Sequence, residues 1–344
     1  MKNLLITGGA GFIGSNYVRY VLQNHPDLRV TVFDKLTYAG NLDNLRDVAE
    51  RFHLRYSFVK GDICDAAAVE AAVRDHSIDT IVNFAAESHV DRSLLTPDAF
   101  IQTDVNGTHV LLEAAKNFQI ERYHQVSTDE VYGDVPVGSS KEIDPLAPRS
   151  PYSASKAGGD LLVQAYHVSF GVPTTITRGS NTYGPYQYPE KLLPLFMTNA
   201  IDDQLLPVYG DGLQVRDWLY VLDHCAGIDL VLHRGTPGEV YNLGGENEQH
   251  NIDVIRLLLK MMNKPESLLR RVTDRAGHDR RYSLDVSKLH ALGFEQSATF
   301  EQELAATVKW YTENEWWWRK IKSGEYMEYY KAQYGKRLAE STAV

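Results

Sequence analysis

"ITGGAGFIG", residues 6–14, decides how the chain begins to fold. The apolar run Asn3–Thr7 leads into it and is predicted to be a strand, and the residues after it are predicted to be a helix. Gly8, Gly11 and Gly14 have the G-x-x-G-x-x-G spacing of a turn that brings backbone amides close to a pyrophosphate at a helix N-terminus. The stretch therefore predicts a dinucleotide site directly after the first strand.

The first half of the chain alternates short β-branched runs with amphipathic stretches. The predicted strands that follow are Arg29–Asp34, Tyr56–Lys60, Thr80–Phe84, Tyr123–Ser127 and Thr174–Thr177, and the predicted helices are Ala66–Arg74, Val105–Phe118 and Tyr152–Phe170. This alternation predicts an α/β fold, a Rossmann-type doubly wound parallel sheet covered by helices on both faces. Residues 1–180 would form this NAD-binding domain. Residues 181–344, which are richer in turns, would form a smaller substrate-binding lobe, with some segments returning to the first domain.

Composition excludes several classes of function. The 344 residues carry a formal net charge of −10 and no broad basic stripe, so nucleic acid is not an expected partner. No apolar run is long enough to span a membrane, and the N-terminal apolar run is too short for a signal peptide. Cys64 and Cys225 lie far apart and without metal-ligand spacing, which indicates a reducing compartment, a cytoplasmic protein and no metal site.

The end of the second predicted strand indicates which dinucleotide binds. Asp34 comes about 20 residues after Gly14, where a carboxylate accepts hydrogen bonds from both ribose hydroxyls and repels a 2′-phosphate. The position therefore favours NAD over NADP. Asp62 follows the third strand, where it could contact the adenine edge or simply cap the next helix.

"SPYSASKA", residues 150–157, places Tyr152 and Lys156 four residues apart, on one face of a predicted helix. An ammonium beside a phenol favours the phenolate and is expected to lower the tyrosine pKa from ~10 towards neutrality. Such a phenolate could take a hydroxyl proton while a hydride leaves the same carbon for a nicotinamide. The pattern predicts a hydride-transfer site.

These motifs together resemble those of the extended short-chain dehydrogenase/reductases, and among them most closely those of the dTDP-glucose 4,6-dehydratases. The likeness runs nearly end to end, and "AAESHVDRS" (residues 85–93), "STDEVYGD" (residues 127–134), "NTYGPYQYPEKLLP" (residues 181–194) and "YGDGLQVRDWLYV" (residues 209–221) carry it more specifically than the glycines do. The resemblance implies an NAD-dependent hydro-lyase that acts on dTDP-glucose, and a homodimer formed through the Val105–Phe118 and Tyr152–Phe170 helices.

The resemblance also explains two adjacent carboxylates at the end of a buried strand. Oxidation at C4 of the sugar acidifies C5, after which water can be eliminated across C5 and C6 and the hydride returned to C6. By this likeness Glu130 is the base at C5, Asp129 is the acid at O6, and Thr128 bonds the C4 oxygen beside Tyr152. Paired carboxylates repel, so one of the two pKa values is expected to rise.

The likeness assigns two further sets of residues. The expected cofactor-binding set is Gly8, Gly11, Phe12, Ile13, Gly14, Asp34, Lys35, Leu36, Thr37, Asp62, Ile63, Ala85, Ala86, Glu87, Thr103, Tyr152, Lys156 and Thr182. The expected substrate-binding set is Ser88, Thr128, Asn181, Lys191, Leu192, Pro207, Val208, Tyr209, Arg216, Asn251, Arg275 and His278. Because the protein is acidic, a bound diphosphate requires local cations, and arginine offers bidentate contacts.

The chain departs from the family pattern at two positions. Thr182 stands where a second asparagine is usual, and Gly179 stands where a larger residue is common. Away from the site, Arg280 and Arg281 are predicted to form surface ion pairs, and the tryptophans of residues 316–318 are predicted to pack a C-terminal element.

Three other functions share parts of this pattern. A 4-epimerase needs the same tyrosine, lysine and NAD but no carboxylates after Thr128. A UDP-glucuronate decarboxylase typically lacks the aspartate of the pair. A regulatory NAD-binding subunit would not need the complete set of Thr128, Asp129, Glu130, Tyr152 and Lys156. The choice of thymine as the base, and the pathway that uses the product, do not follow from the residues themselves.

Overall fold

The computed structural model describes residues 1–274 and 278–344. Numbered along the chain, the strands are β1 (Asn3–Thr7), β2 (Arg29–Asp34), β3 (Tyr56–Lys60), β4 (Thr80–Asn83), β5 (Arg122–Thr128), β6 (Thr174–Gly179), β7 (Asn181–Tyr183), β8 (Leu206–Tyr209), β9 (Val215–Tyr220), β10 (Val240–Leu243), β11 (Glu248–His250), β12 (Leu269–Val272) and β13 (Thr342–Ala343). The α-helices are α1 (Phe12–Asn24), α2 (Arg46–Arg51), α3 (Ala66–Asp75), α4 (Val90–Leu95), α5 (Pro97–Phe100), α6 (Thr108–Asn117), α7 (Pro151–Phe170), α8 (Leu192–Ile201), α9 (Val221–Arg234), α10 (Asn251–Met261), α11 (Ser287–Ala291), α12 (Phe300–Glu313), α13 (Glu315–Ile321) and α14 (Glu325–Ala339).

A parallel sheet of seven strands forms the centre, in the order β10-β6-β5-β4-β1-β2-β3. Helices α1 and α9 bury apolar side chains such as Val18 and Ile228 against one face of this sheet. Helices α3, α6 and α7 cover the other face with residues such as Val69, Leu111 and Val163. Both faces are thus buried, which explains the β-branched runs, and the predicted Rossmann-type doubly wound fold is confirmed.

The six predicted strands all form, and the differences lie at their ends. The strand predicted as Thr80–Phe84 ends at Asn83, whereas β5 and β6 are each longer than predicted. Helix α7 begins one residue before the predicted start and ends at the predicted residue. Ser150 caps it in a capping box, Pro151 occupies the first turn, and Gly171 closes it with a φ of 69°.

The prediction of one helix over residues 105–118 was wrong at its start. A π-helical turn, Ile101–Gly107, comes first, and α6 begins only at Thr108. Such turns are rare and are frequent at functional sites. This one places Thr103 on a cavity wall and buries the carboxylate of Asp104.

The C-terminal half builds two small sheets, of order β11-β9-β7 and β13-β12-β8. Helices α8, α10, α12 and α13 pack around their own core, in which Trp317 and Trp318 are each 1% exposed. The predicted packing role of the tryptophan cluster is therefore confirmed for these two. Strand β10 leaves this half and pairs in parallel with β6 at the edge of the central sheet.

Within residues 1–274 and 278–344, no helix combines the length and apolarity that crossing a membrane requires. Both cysteines are free thiols, and Cys225 is buried.

Candidate active site

The glycine turn packs so closely against the protein's own backbone that neither Gly8 nor Gly14 can carry a side chain. Gly8 has a φ of +64°, and a Cβ on it would lie 2.6 Å from the amide nitrogen of Ala85. A Cβ on Gly14 would lie 2.4 Å from the carbonyl oxygen of Gly8. Gly11 precedes α1 without any side-chain cap, so the helix N-terminus faces the cavity with its amides. This cradle fits the pyrophosphate of a dinucleotide.

Asp34 closes the same cavity at the end of β2, where it is 8% exposed. Its Oδ2 accepts the Ala10 amide at 2.9 Å and its Oδ1 accepts the Leu36 amide at 2.8 Å. Burial raises the pKa of this carboxyl, and the two amides oppose that shift. The two amides thus fix the orientation of this carboxylate on the cavity wall. Leu36 is not among the residues lining the cavity; its backbone orients Asp34 instead.

Asp62 lines the cavity and pairs with Lys35, whose Nζ lies 2.6 Å from its Oδ2. Burial opposes the shift, but the hydrogen bond and charge of Lys35 and the hydrogen bonds from Cys64 together lower the pKa of Asp62. The residue that caps α3 is Asp65, so the alternative in which Asp62 caps that helix is wrong.

The catalytic set assembles because the chain leaves strand geometry immediately after Thr128. Thr128 ends β5 and caps a short 3₁₀ turn, Asp129–Tyr132, so that adjacent side chains are not sent to opposite faces. Thr128, Asp129, Glu130, Tyr152 and Lys156 all line one cavity. The Thr128 hydroxyl donates to Asp129 Oδ1 at 3.2 Å, and Thr128 also lowers the pKa of Tyr152, by less than burial raises it.

The surroundings of Asp129 favour its protonated form. It is 3% exposed, and burial, followed by the negative charges of Glu130 and Asp217, raises its pKa well above the ordinary range. Its Oδ2 has no hydrogen-bond partner among the described residues. The expectation that one of the paired carboxyls has a raised pKa is met, and that carboxyl is Asp129.

The expected lowering of the Tyr152 pKa is not found. Burial and the nearby carboxylates of Glu130 and Asp104 raise it well above its ordinary value. The Lys156 ammonium donates a hydrogen bond to the carbonyl of Val126, in β5, at 2.9 Å. It is therefore oriented towards the backbone of that strand. The prediction counted the lysine and omitted burial and the carboxylates, which outweigh it.

Asp104 lies behind this set on the π-helical turn. Its Oδ1 accepts the Glu87 amide at 3.1 Å and its Oδ2 accepts the Ser155 hydroxyl at 2.6 Å. Burial raises its pKa to about 6, and the positive charge of Lys156 opposes the shift. The sequence offered no pattern that singled out this residue.

The remaining expected cofactor residues also line the first cavity: Phe12, Ile13, Thr37, Ile63, Ala85, Ala86, Glu87, Thr103 and Thr182, together with Ser88 from the substrate set. A second cavity adjoins the first, and the two share Glu130, Asn181, Glu190 and Lys191.

The walls of the second cavity include Leu192, Pro207, Val208, Tyr209, Arg216, Asn251 and His278 of the expected substrate set. Arg275 lies outside the described residues. Arg216 is the buried cation of this cavity: it donates to the carbonyl of Asp279 at 3.0 Å and stacks 4.5 Å from the Tyr282 ring centroid.

Several wall residues escaped the sequence reasoning. Glu190 is buried on the seam between the cavities and accepts two bonds from Arg92, whose guanidinium lies 3.9 Å from the Tyr38 ring centroid. Trp317 reaches the first cavity from α13 and donates its indole N–H to Asn44 at 2.7 Å. Only tertiary packing brings these groups together, so no local pattern could reveal them.

The predicted surface ion pairs are confirmed. Arg280 pairs with Asp211 at 2.9 Å, and Arg281 pairs with Glu248 at 2.6 Å.

Comparison with known proteins shows which family shares this sequence and fold. The family model described as GDP-mannose 4,6 dehydratase matches residues 5–307. A dTDP-glucose 4,6-dehydratase of Streptomyces niveus is 49% identical over 93% of this chain and 96% of its own. One from Escherichia coli is 46% identical over 94% of this chain and 97% of its own. The crystal structure of DesIV, a dTDP-glucose 4,6-dehydratase from Streptomyces venezuelae with NAD and TYD (dTDP) bound, matches with a TM-score of 0.90 and 50% identity, over 93% of this chain and 100% of that one.

The chain belongs to the dTDP-glucose 4,6-dehydratase family. The resemblance seen in the motifs is thereby confirmed. Helices α13 and α14 lie beyond the residues that the family model matches, although α13 supplies Trp317 to the first cavity.

Proposed function

We propose that this chain catalyses the NAD-dependent dehydration of dTDP-glucose to dTDP-4-keto-6-deoxyglucose, the hydro-lyase reaction EC 4.2.1.46. One observation carries the proposal: Asp129 and Glu130 line the same cavity as Tyr152 and Lys156. A site that only oxidises and reduces one carbon has no use for this additional acid and base. When bound, NAD would accept the hydride from C4, and its reduced form would return that hydride to C6.

The first task of the site is to take the proton of the C4 hydroxyl. Tyr152 is the base, and Thr128, on the wall of the same cavity, holds the C4 oxygen beside it. Burial favours the neutral phenol, but only the phenolate can accept a proton. The Tyr152 phenol must therefore first give its own proton to solvent, a loss favoured by the Lys156 ammonium one turn away on α7, and the phenolate then takes the proton of the C4 hydroxyl.

The second task is elimination across C5 and C6. The C4 ketone acidifies the C5 proton, which Glu130 removes. Asp129, protonated because of its burial, gives its proton to the departing C6 oxygen, and water leaves. Buried Asp217 adds its negative charge and helps to keep Asp129 in the acid form. The two adjacent residues thus have opposite roles because their environments differ.

The second cavity would hold the nucleotide diphosphate. Because Glu130 and Asn181 line both cavities, we infer that the sugar would lie on the seam between them. Arg216 and Lys191 would offset the phosphate charge, and Tyr209 would contact the base. Residues 1–180 would thus carry NAD and the chemistry, and residues 181–344 mainly the nucleotide sugar, with β10 among the segments returning to the first domain.

The test is to supply the purified protein with dTDP-glucose, UDP-glucose and UDP-glucuronate in separate reactions. We expect dTDP-glucose alone to give a keto product lighter by one water, identified by mass spectrometry and NMR. An equal-mass epimer would indicate a 4-epimerase, and loss of carbon dioxide from UDP-glucuronate a decarboxylase. No turnover of any of the three would overturn the proposal.

We further infer a homodimer. Helix α7 exposes apolar side chains to solvent, with Leu161 56%, Val168 83% and Phe170 55% exposed. Phe118, just after α6, is 37% exposed on the neighbouring helix. A second copy of the chain would cover this surface. Light scattering that finds a monomer at assay concentration would contradict the homodimer.

We also infer a cytoplasmic location, which the two free cysteines support.

A further inference from the structure

A histidine that the reaction does not use lies at the catalytic end of the central sheet. His224, on α9, is 2% exposed and lines the first cavity. Its ring occupies the space beside Gly179: a Cβ there would fall 2.6 Å from the His224 Cε1 and 2.8 Å from its Nε2. Gly179 is paired in register with Thr128. The glycine therefore makes room for an imidazole close to the catalytic threonine.

The hydrogen bonds around Thr182 fix the tautomer of this ring. The Thr182 Oγ1 lies 3.1 Å from the carbonyl oxygen of Ser180 and 2.7 Å from the His224 Nδ1. A carbonyl can only accept, so the single hydroxyl proton of Thr182 goes to Ser180. The hydroxyl oxygen must then accept from Nδ1–H, which leaves Nε2 without a proton.

The Nε2 atom is thus an acceptor with a free lone pair. It is buried and has no hydrogen-bond partner among residues 1–274 and 278–344. Burial also lowers the pKa of His224 to about 3, so the ring stays neutral. A buried acceptor without a donor is costly, and a ligand that brings a donor relieves that cost.

The position of His224 indicates which donor that is. The glycine turn and Asp34 lie at the ends of β1 and β2, which assigns the adenosine half of NAD to that side. Tyr152 and Lys156 approach the other half from α7, on the face of the sheet covered by α6, whereas α9 packs with α1 on the opposite face. At this end NAD offers ribose hydroxyls and the carboxamide –NH₂. Lys156, on the α7 side, is suited to bind the ribose hydroxyls. The carboxamide –NH₂ is then the donor that remains for His224 on the α9 side.

We propose that His224 forms a carboxamide subsite, in which Nε2 accepts a hydrogen bond from the –NH₂ of the nicotinamide carboxamide. Thr182 sets the tautomer and Gly179 provides the space. The inference rests on NAD being the cofactor, as proposed above. The bond would fix the rotation of the carboxamide and so help to orient the nicotinamide ring towards the substrate.

The experiment compares NAD with 3-acetylpyridine adenine dinucleotide, in which an acetyl group replaces the carboxamide and the –NH₂ donor is lost. Full-length protein is first freed of the nucleotide that it carries from purification and is then incubated with an equimolar mixture of the two. The nucleotides that it retains are released by denaturation and measured by mass spectrometry. We expect wild-type protein to retain NAD in roughly 5- to 10-fold excess, the preference that one neutral hydrogen bond provides.

Two variants locate the preference. His224→Leu should bring the ratio of retained nucleotides close to one, whereas His224→Gln, which keeps an acceptor, should preserve part of it. Asp34→Asn is the control: it weakens both nucleotides through the shared adenosine half and should leave the ratio unchanged. An unchanged ratio in His224→Leu, or no preference in the wild type, would overturn the subsite. Failure of wild-type protein to retain either nucleotide would instead refute the use of NAD itself.

Discussion

Replacing Asp104 by asparagine should change how stability depends on pH. Asp104 is 3% exposed, and its pKa is raised from 3.8 to about 6. A carboxyl whose folded-state pKa is raised favours folding below its unfolded pKa, and this contribution is lost as pH rises through the folded pKa. At ~1.4 kcal/mol per pKa unit, the wild type should lose about 2–3 kcal/mol between about pH 4 and about pH 7 because of this group.

Asparagine fits the same site without losing its hydrogen bonds. Its Oδ1 can accept the Glu87 amide, and its Nδ2 can donate to the Ser155 hydroxyl, whose own proton then goes to the Tyr152 carbonyl at 2.8 Å. We therefore expect Asp104→Asn to gain about 2–3 kcal/mol relative to wild type on going from about pH 4 to about pH 7. Denaturant midpoints measured across this pH range provide the comparison.

The matched control has the opposite sign. Asp62 has a lowered pKa because of Lys35, so its contribution is present at neutral pH and is lost in acid. Asp62→Asn should accordingly lose stability relative to wild type as pH rises. If the difference between Asp104→Asn and wild type does not vary with pH, Asp104 does not titrate in the folded protein as argued.

The other predictions concern the cofactor, the catalytic set and a buried ion pair. Freshly purified protein should release NAD(H) when denatured, and finding NADP(H) instead would contradict the role of Asp34. Tyr152→Phe should lower turnover by ~10²–10⁴-fold with no reduction of bound nicotinamide, measured by single-turnover absorbance; near-normal reduction would show that another base acts. Glu130→Gln should leave the nicotinamide reduced, because C5 keeps its proton, whereas Asp129→Asn should exchange the C5 hydrogen with deuterated solvent faster than it forms product. If both of these variants oxidise C4 as slowly as Tyr152→Phe, the proposed division of labour is wrong. Arg178→Met should destabilise the protein by about 3–5 kcal/mol in denaturant unfolding, because Arg178 bonds Asp160 at 2.9 Å and both side chains are buried; a loss below about 1 kcal/mol would indicate that Asp160 takes up a proton instead.

The sequence was most informative where the signal is local. The glycine turn, the alternation of strands and helices, and the cap and stop of α7 are each written in a few consecutive residues, and the structure follows them closely. Boundaries such as the π-helical turn before α6 were missed, because the burial of Asp104 against Ser155 comes from another helix.

The site was less predictable where several elements act together. The pKa of Tyr152 was expected to fall because Lys156 is one turn away, but burial and two carboxylates from other parts of the chain dominate. The bonds among Thr182, Ser180 and His224 join residues that lie up to 44 positions apart, from Ser180 to His224. The sequence marked Thr182 and Gly179 as departures from the family pattern but could not indicate that both meet the same imidazole.

The pairing of β10 with β6 bears on how such chains can recombine. Residues 240–243 complete the sheet that carries the catalytic end of β5, although they belong to the C-terminal half, which supplies most of the walls of the second cavity. A chimaera that joins the first half of one relative to the second half of another would have to preserve the pairing of β10 with β6. It would also have to preserve the walls that the two cavities share. Exchange of specificity between relatives is therefore expected to proceed through substitutions on the cavity walls rather than through the swapping of halves.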